Sequence, residues 1–176
     1  IIGEKFFSPK EGISIFLGQA LIKPDALGFS IQKATELGVD SISPLLTERS
    51  VTKIKKESFR KKKEKWLSIS QGACEQCGQN WLPEINNPSL LRDWSSSIEA
   101  EKKIVLYPGA SKKISEIRFT NSVALAIGPE GDFTSEEIED LVKEGFTPVS
   151  MGTRILRAET AAISALSTIR TLAGDF

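Results

Sequence analysis

The chain has no histidine, two cysteines, one methionine and one tyrosine among 176 residues. Without an imidazole, Ser-His-Asp and Cys-His mechanisms are excluded, and so are most zinc sites. Cys74 and Cys77, three positions apart, cannot staple a fold of this size, which fits a reducing, cytoplasmic setting. No apolar run approaches the roughly 18 residues of a membrane span, so no membrane is expected, and with no histidine and only two cysteines no metal is expected either. Net charge is absent as well, with 23 basic against 23 acidic side chains. What is left, 40% apolar and 26% charged residues, describes a globular domain large enough to bury a core. The first residue is Ile1 and the single methionine is Met151, so a fragment, a processed chain or an incomplete sequence is expected.

Zero net charge conceals two opposed runs. Lys53 to Lys65 holds eight basic residues against Glu57 and Glu64, and Glu130 to Glu144 holds seven acidic residues against Lys143. The basic run suits a phosphate backbone, and equally the solvated face of a helix. Strand and helix patterns alternate along the chain. Ser14 to Ile22 and Val39 to Leu46 read as strands, the second interrupted at Pro44 and therefore expected at an edge or a strand end. Leu27 to Leu37 and Ser58 to Cys77 read as helices, the latter with Phe59, Trp66, Ile69, Ala73 and Cys77 at helical spacing. Lys103 to Tyr107 and Val123 to Ile127 are short and almost wholly apolar, as in strands buried on both faces of a parallel sheet. Thr134 and Glu137 form a capping box, with Phe133 and Ile138 placed as a hydrophobic staple and Gly145 as the stop. A short strand, Thr147 to Met151, and an alanine-rich helix from about Ala158 to Leu172 complete an α/β pattern with a largely parallel sheet.

In such sheets ligands bind beyond the carboxyl ends of the strands. Three glycine-containing loops leave such ends: Tyr107-Pro108-Gly109, Gly128 to Asp132, and Gly152 to Arg157. Any one of them serves as a tight turn; together they favour a nucleotide-like ligand, although G-x-x-x-x-G-K-[ST] and G-x-G-x-x-G are both absent. In R-I-L-R-A-E-T, Glu159 is explained by the positive end of a helix, whereas Arg154 and Arg157 beside it favour a phosphate or a polarised carbonyl. Cys74-Glu-Gln-Cys77 sits near a helix end rather than a helix start, so two small, partly buried residues are favoured over redox or metal chemistry.

IGPEGDFTSEEI followed by MGTRILRAETAAISAL resembles the C-terminal signature of the RsmE family, SPOUT-class methyltransferases. QALIKPDALGFSIQKATELGVDSISPLLTERSV resembles that family's first strand-helix-strand, and GACEQCGQNWLPEI its next helix and exit, so the likeness runs from about Leu17 to Phe176. The resemblance implies a parallel sheet with a deep C-terminal trefoil knot, preceded by a PUA-like β-barrel. Of that barrel residues 1–16 would be only a tail or linker, leaving 17–176 as the methyltransferase domain. It implies S-adenosyl-L-methionine as cofactor, a homodimer, and the N3 of a uridine in 16S RNA of the small ribosomal subunit as target (position 1498 in the conventional bacterial numbering). Carried over by motif, the cofactor loops comprise Leu106, Tyr107, Pro108 and Gly109; Ile127, Gly128, Pro129, Glu130 and Gly131; and Ser150, Met151, Gly152, Ile155 and Leu156. Arg157, or Arg154, would stabilise the uracil anion, with Glu159 and Thr160 positioning the base or accepting its proton. Arg49, Lys53, Lys55, Lys56 and Arg60 would contact RNA phosphates. The family usually reads G-P-E-G-G, and Asp132 replaces the last glycine. Aspartate tolerates left-handed backbone, but its charge is expected to repel a cofactor carboxylate. A SPOUT enzyme acting on another RNA, or a non-catalytic ribosome-assembly factor, are the competing readings.

Overall fold

The computed structural model describes residues 12–52 and 54–176. Seven parallel strands form one sheet: β1 (Ser14–Ala20), β2 (Ser41–Leu46), β3 (Glu84–Ile85), β4 (Ser89–Leu90), β5 (Lys102–Leu106), β6 (Ser122–Ile127) and β7 (Thr147–Val149). Their spatial order is β3-β2-β1-β6-β5-β7, with β4 also beside β2. The helices are α1 (Pro24–Glu36), α2 (Phe59–Cys77), α3 (Leu91–Ser97), α4 (Ser135–Lys143) and α5 (Ala158–Ala173). The strand expected from Ser14 is β1, so Ser14, Ile15 and Phe16, which the resemblance placed in a tail or linker, belong to the sheet, with Phe16 paired to β2 and all three to β6. Of the rest of that tail, Gly12 and the buried Ile13 lead into β1, and residues 1–11 lie outside the described residues.

Alternation along β6 sorts the core into two layers. Val123, Leu125 and Ile127 face a large cluster shared with Leu27 and Ile31 of α1, Trp66 of α2 and Ala162, Leu166 and Ile169 of α5. Ala124 and Ala126 face a smaller cluster with Leu91 and Trp94 of α3, Leu141 of α4 and Phe146. Small residues are needed on that side because Trp94 lies close against the sheet. A Cβ added at Gly18 of β1 would stand 2.6 Å from its ring.

The alternating strand pattern and the capping box are realised. Glu137 N–H donates to Thr134 Oγ1 at 3.1 Å while Thr134 N–H donates to Glu137 Oε2 at 2.9 Å, and Phe133 and Ile138 join one cluster. Pro44 is a correction: β2 lies inside the sheet, not at its edge. The Ile42 carbonyl accepts Asn86 N–H from the β3 side. Backbone polar groups alternate sides along a strand, so Pro44 faces that side too, where pairing breaks between β3 (opposite Ser41 and Ile42) and β4 (opposite Leu45 and Leu46). A residue without an N–H fits that gap. Cys77 is a second correction, since it is exposed and Cys74 takes the buried position on α2. Helix α3 had no sequence signal, being seven residues ending in Ser-Ser-Ser.

After β7 the chain runs beside the long β5–β6 connection. Ser150 N–H donates to the Lys112 carbonyl and Ile114 N–H to the Ser150 carbonyl, at 2.8 and 3.0 Å. It then enters α5, which packs against α1 and β6. The far end of α5 is pinned by Arg170, buried at 5% exposure.

Candidate functional site

Four strand ends meet at one cavity of about 540 Å³. From the β5 end come Leu106, Tyr107 and Pro108; from the β6 end, Ile127, Gly128, Pro129, Glu130 and Asp132. The β7–α5 connection contributes Met151, Gly152, Arg154, Ile155, Leu156 and Arg157, and the first turns of α5 add Ala158, Glu159 and Ala161. The β1–α1 turn supplies Lys23 and Ala26. The volume lies within the 300–1,000 Å³ typical of small-molecule sites.

Of the residues singled out in the sequence, most are brought together here. Gly109, Gly131, Ser150 and Thr160 are not on the wall. Gly109 lies against the Tyr107 ring, which a Cβ there would approach to 2.8 Å. Gly131 offers its carbonyl outward, accepting from Arg49 Nη1 at 3.1 Å. Ser150 is buried with both its N–H and hydroxyl given to Lys112, and Thr160 is on the exposed side of α5. Arg49 thus touches the cavity loop from outside. Lys55, Lys56 and Arg60 are exposed around the start of α2, Arg60 at 3.6 Å from Glu64, and none of them lines the cavity. Lys53 lies outside the described residues.

Lys23 and Ala26 carry no sequence signal of a site. The loop after β1 also leaves the carboxyl end of a central strand, so the strand-end rule covers it, but it lacks the glycine that marked the other three. Its place is held by Glu130, whose Oε1 accepts Lys23 N–H at 3.1 Å.

Charge on the wall is segregated. Glu130 and Asp132 stand on the β6 loop, and Arg154 and Arg157 on the β7–α5 connection, where Arg157 is the N-cap of α5 and Glu159 lies in its first turn. Asp132 has a φ of +62°, the left-handed conformation foreseen for it, and no other non-glycine among the described residues has a positive φ. Its Oδ1 accepts Phe133 N–H at 2.8 Å. Partial burial pushes its carboxyl above the usual range, opposed by that hydrogen bond and by the Arg49 charge. Gly152 has a φ of +102°, which favours glycine. Apolar Leu106, Ile127, Met151 and Leu156 suit a flat heterocycle, and the charged groups suit a ligand bearing both signs. No group of three or more His, Cys, Asp or Glu residues able to hold a metal occurs among the described residues, and none of their helices is long and apolar enough to cross a membrane.

A parallel sheet with a ligand-sized cavity built from strand-end loops and bearing paired arginines defines a class, and sequence comparison names it. The chain belongs to the RNA methyltransferase domain family, whose model matches residues 9–170. Its particular relatives carry the name ribosomal RNA small subunit methyltransferase E. The Buchnera aphidicola protein (from Schizaphis graminum) is 44% identical over 92% of this chain and 66% of its own length. The Bacillus subtilis protein is 32% identical over 89% of this chain and 65% of its own length. The chain therefore spans just under two thirds of these curated relatives. Among solved structures, the ribosomal RNA small subunit methyltransferase E of Neisseria gonorrhoeae bound to S-adenosyl methionine superposes with a TM-score of 0.87. It is 32% identical, over 93% of this chain and 68% of that one. A Legionella pneumophila protein in complex with the bound cofactor SAM gives a TM-score of 0.88 and 44% identity, over 91% of this chain and 66% of that one.

Proposed function

We propose that this chain is the methyl-transfer unit of a ribosomal RNA methyltransferase, binding S-adenosyl-L-methionine in the strand-end cavity and methylating N3 of uridine 1498 in 16S RNA of the small subunit. The observation that carries the reading is the cavity itself, where the loops quoted for the family resemblance converge with paired arginines at one rim. Relatives solved with S-adenosyl methionine bound support the choice of cofactor. When bound, that cofactor supplies an activated methyl group on a sulfonium.

The protein's share of the work is alignment and charge. Leu106, Ile127, Met151 and Leu156 offer an apolar slot for the adenine, with backbone N–H and C=O groups of Gly152, Ile155 and Leu156 for its edge. Uracil N3 must lose a proton, and the resulting charge spreads over O2 and O4. Arg157 and Arg154 stabilise that anion, and Glu159, on the same helix start, accepts the proton or positions the base. Fixing the acceptor in line with the methyl group supplies much of the rate. Arg49, which already bonds the Gly131 carbonyl, and Lys55, Lys56 and Arg60 form a basic approach for RNA phosphates. The exposed side of α5, with Thr160, and the 87% exposed Ile155 in the connection before it are the face for a second copy in a homodimer. The run of chain past Lys112–Ile114 into α5 is where the family's trefoil knot would close.

The test is Arg157→Ala, assayed for methyl incorporation into unmodified small subunits and, separately, for S-adenosylhomocysteine binding. Turnover is expected to fall at least about a hundredfold, with cofactor affinity within about threefold of the parent. Undiminished turnover removes Arg157 from the chemistry.

A further inference from the structure

Two of the three carboxylates on the cavity wall sit on the β6 loop, and they are not equivalent. Glu130 is engaged: its Oε1 holds the Lys23 N–H at 3.1 Å and so fixes the β1–α1 turn. Asp132 is half-buried and has only one oxygen spoken for, by Phe133 N–H at 2.8 Å. The left-handed backbone and that bond hold the side chain over Gly128, where an added Cβ would stand 3.2 Å from Oδ1. Arg49 attracts it, but that guanidinium bonds the Gly131 carbonyl instead. No ion pair with a described residue neutralises Asp132. A partly desolvated carboxylate, pre-oriented and lacking a close cation, is a receptor for a positive group supplied by something else.

We infer that Asp132 is a specificity-determining residue of the cofactor site, pairing through its remaining oxygen with a positive group on the amino-acid arm of the bound nucleoside. This rests on the S-adenosylmethionine reading of the cavity. It reverses the repulsion expected from the sequence. The β6 loop from Gly128 to Asp132 carries two carboxylates and no cationic side chain, which suits it to the cationic end of the ligand. Where glycine stands at this position, that contact has no side chain to make it.

The experiment is calorimetric titration of the parent chain and Asp132→Asn with three probes: S-adenosylmethionine, S-adenosylhomocysteine and 5′-methylthioadenosine. Asparagine tolerates the left-handed backbone and can still accept Phe133 N–H, so only the charge is removed. The asparagine variant is expected to bind S-adenosylhomocysteine about tenfold or more weakly and 5′-methylthioadenosine, which has no charged arm, within about twofold of the parent. Equal losses for S-adenosylmethionine and S-adenosylhomocysteine identify the ammonium as partner and support the inference. A loss confined to S-adenosylmethionine points to the sulfonium instead and overturns it. A variant that binds all three probes like the parent, or loses all three alike, overturns it. If the asparagine variant melts early, Asp132→Gly, free of strain at this φ, is read in the same way. A parent that binds none of the probes defeats the cofactor reading itself, and this inference with it.

Discussion

Replacing Arg170 by methionine tests the least exposed charge among the described residues. Its Nε donates to the Leu37 carbonyl at 3.0 Å, Nη1 to the Ile13 carbonyl at 2.9 Å and to Asp175 Oδ2 at 2.6 Å, and Nη2 to the Gly38 carbonyl. One side chain thereby joins the end of α1, the entry to β1 and the residues beyond α5. Asp175 Oδ2 closes the circuit by accepting Ile13 N–H at 3.1 Å. Methionine fills much of the volume but leaves three carbonyls and a carboxylate short of donors. Three carbonyl bonds at about 1 kcal/mol net each already amount to roughly 3 kcal/mol. Removing one side of a buried ion pair costs about 3–5 kcal/mol. Asp175 is 17% exposed and can be partly rehydrated, which holds the loss at the lower end, about 3–4 kcal/mol. For a chain of this length that lowers Tm by roughly 6–16 °C. Arg170→Lys keeps the charge without the planar fork and should lose about half as much. The assay is equilibrium urea unfolding followed by tryptophan fluorescence, with the double variant Arg170→Met/Asp175→Asn completing a cycle whose coupling is expected at about 1–2 kcal/mol. A loss below about 1 kcal/mol for Arg170→Met, at unchanged m-value, would refute the claim that this network holds α5 in place.

Thr134→Ala removes one half of the α4 capping box and should cost about 1 kcal/mol in urea unfolding; Thr134→Ser should restore most of it. Gly152→Ala forces a Cβ into the glycine-favouring conformation of the cavity loop. It should cost about 1–2 kcal/mol or displace the loop, measured as lower S-adenosylhomocysteine affinity; parent-like affinity and stability would show that the conformation is dispensable. Two carboxyls tilt stability with pH in opposite directions. Glu101 is held below its ordinary 4.5 by hydrogen bonds from the Thr120 hydroxyl and from Asn121. Its contribution is therefore present above that value and lost as pH falls through its lowered pKa, a loss that Glu101→Gln should flatten. Asp132 is raised above its ordinary 3.8 by burial, against the opposing pull of Phe133 N–H and Arg49 and with a small push from Glu137. Its charge costs stability once pH rises through the raised pKa, so Asp132→Asn should gain on the parent more at neutral pH than in acid below the ordinary value.

Whatever depends on neighbours in the chain was decided by the sequence itself. The Thr134–Glu137 box, the stop at Gly145 and the left-handed turn at Asp132 each rest on interactions a few residues long. The amino-acid order carries these directly. The loops that build the cavity were legible for the same reason, since a strand's carboxyl end followed by glycine is a local pattern. Strand order and register decided the rest. Pro44 reads as an edge residue until β3 and β4 are seen to pair on either side of it. Gly109, Gly131, Ser150 and Thr160 belong to the right loops but turn away from the wall, because which face a loop residue presents depends on what packs behind it. Lys23 reaches the cavity because β1 lies beside β6, strands about a hundred positions apart in the chain. Arg170 looks like one more basic residue near a helix end until the termini of α1, β1 and α5 converge on it. Sequence neighbours determine local geometry within a turn or two, but the meeting of distant segments is set by burial of the whole sheet, and only the folded chain carries that information.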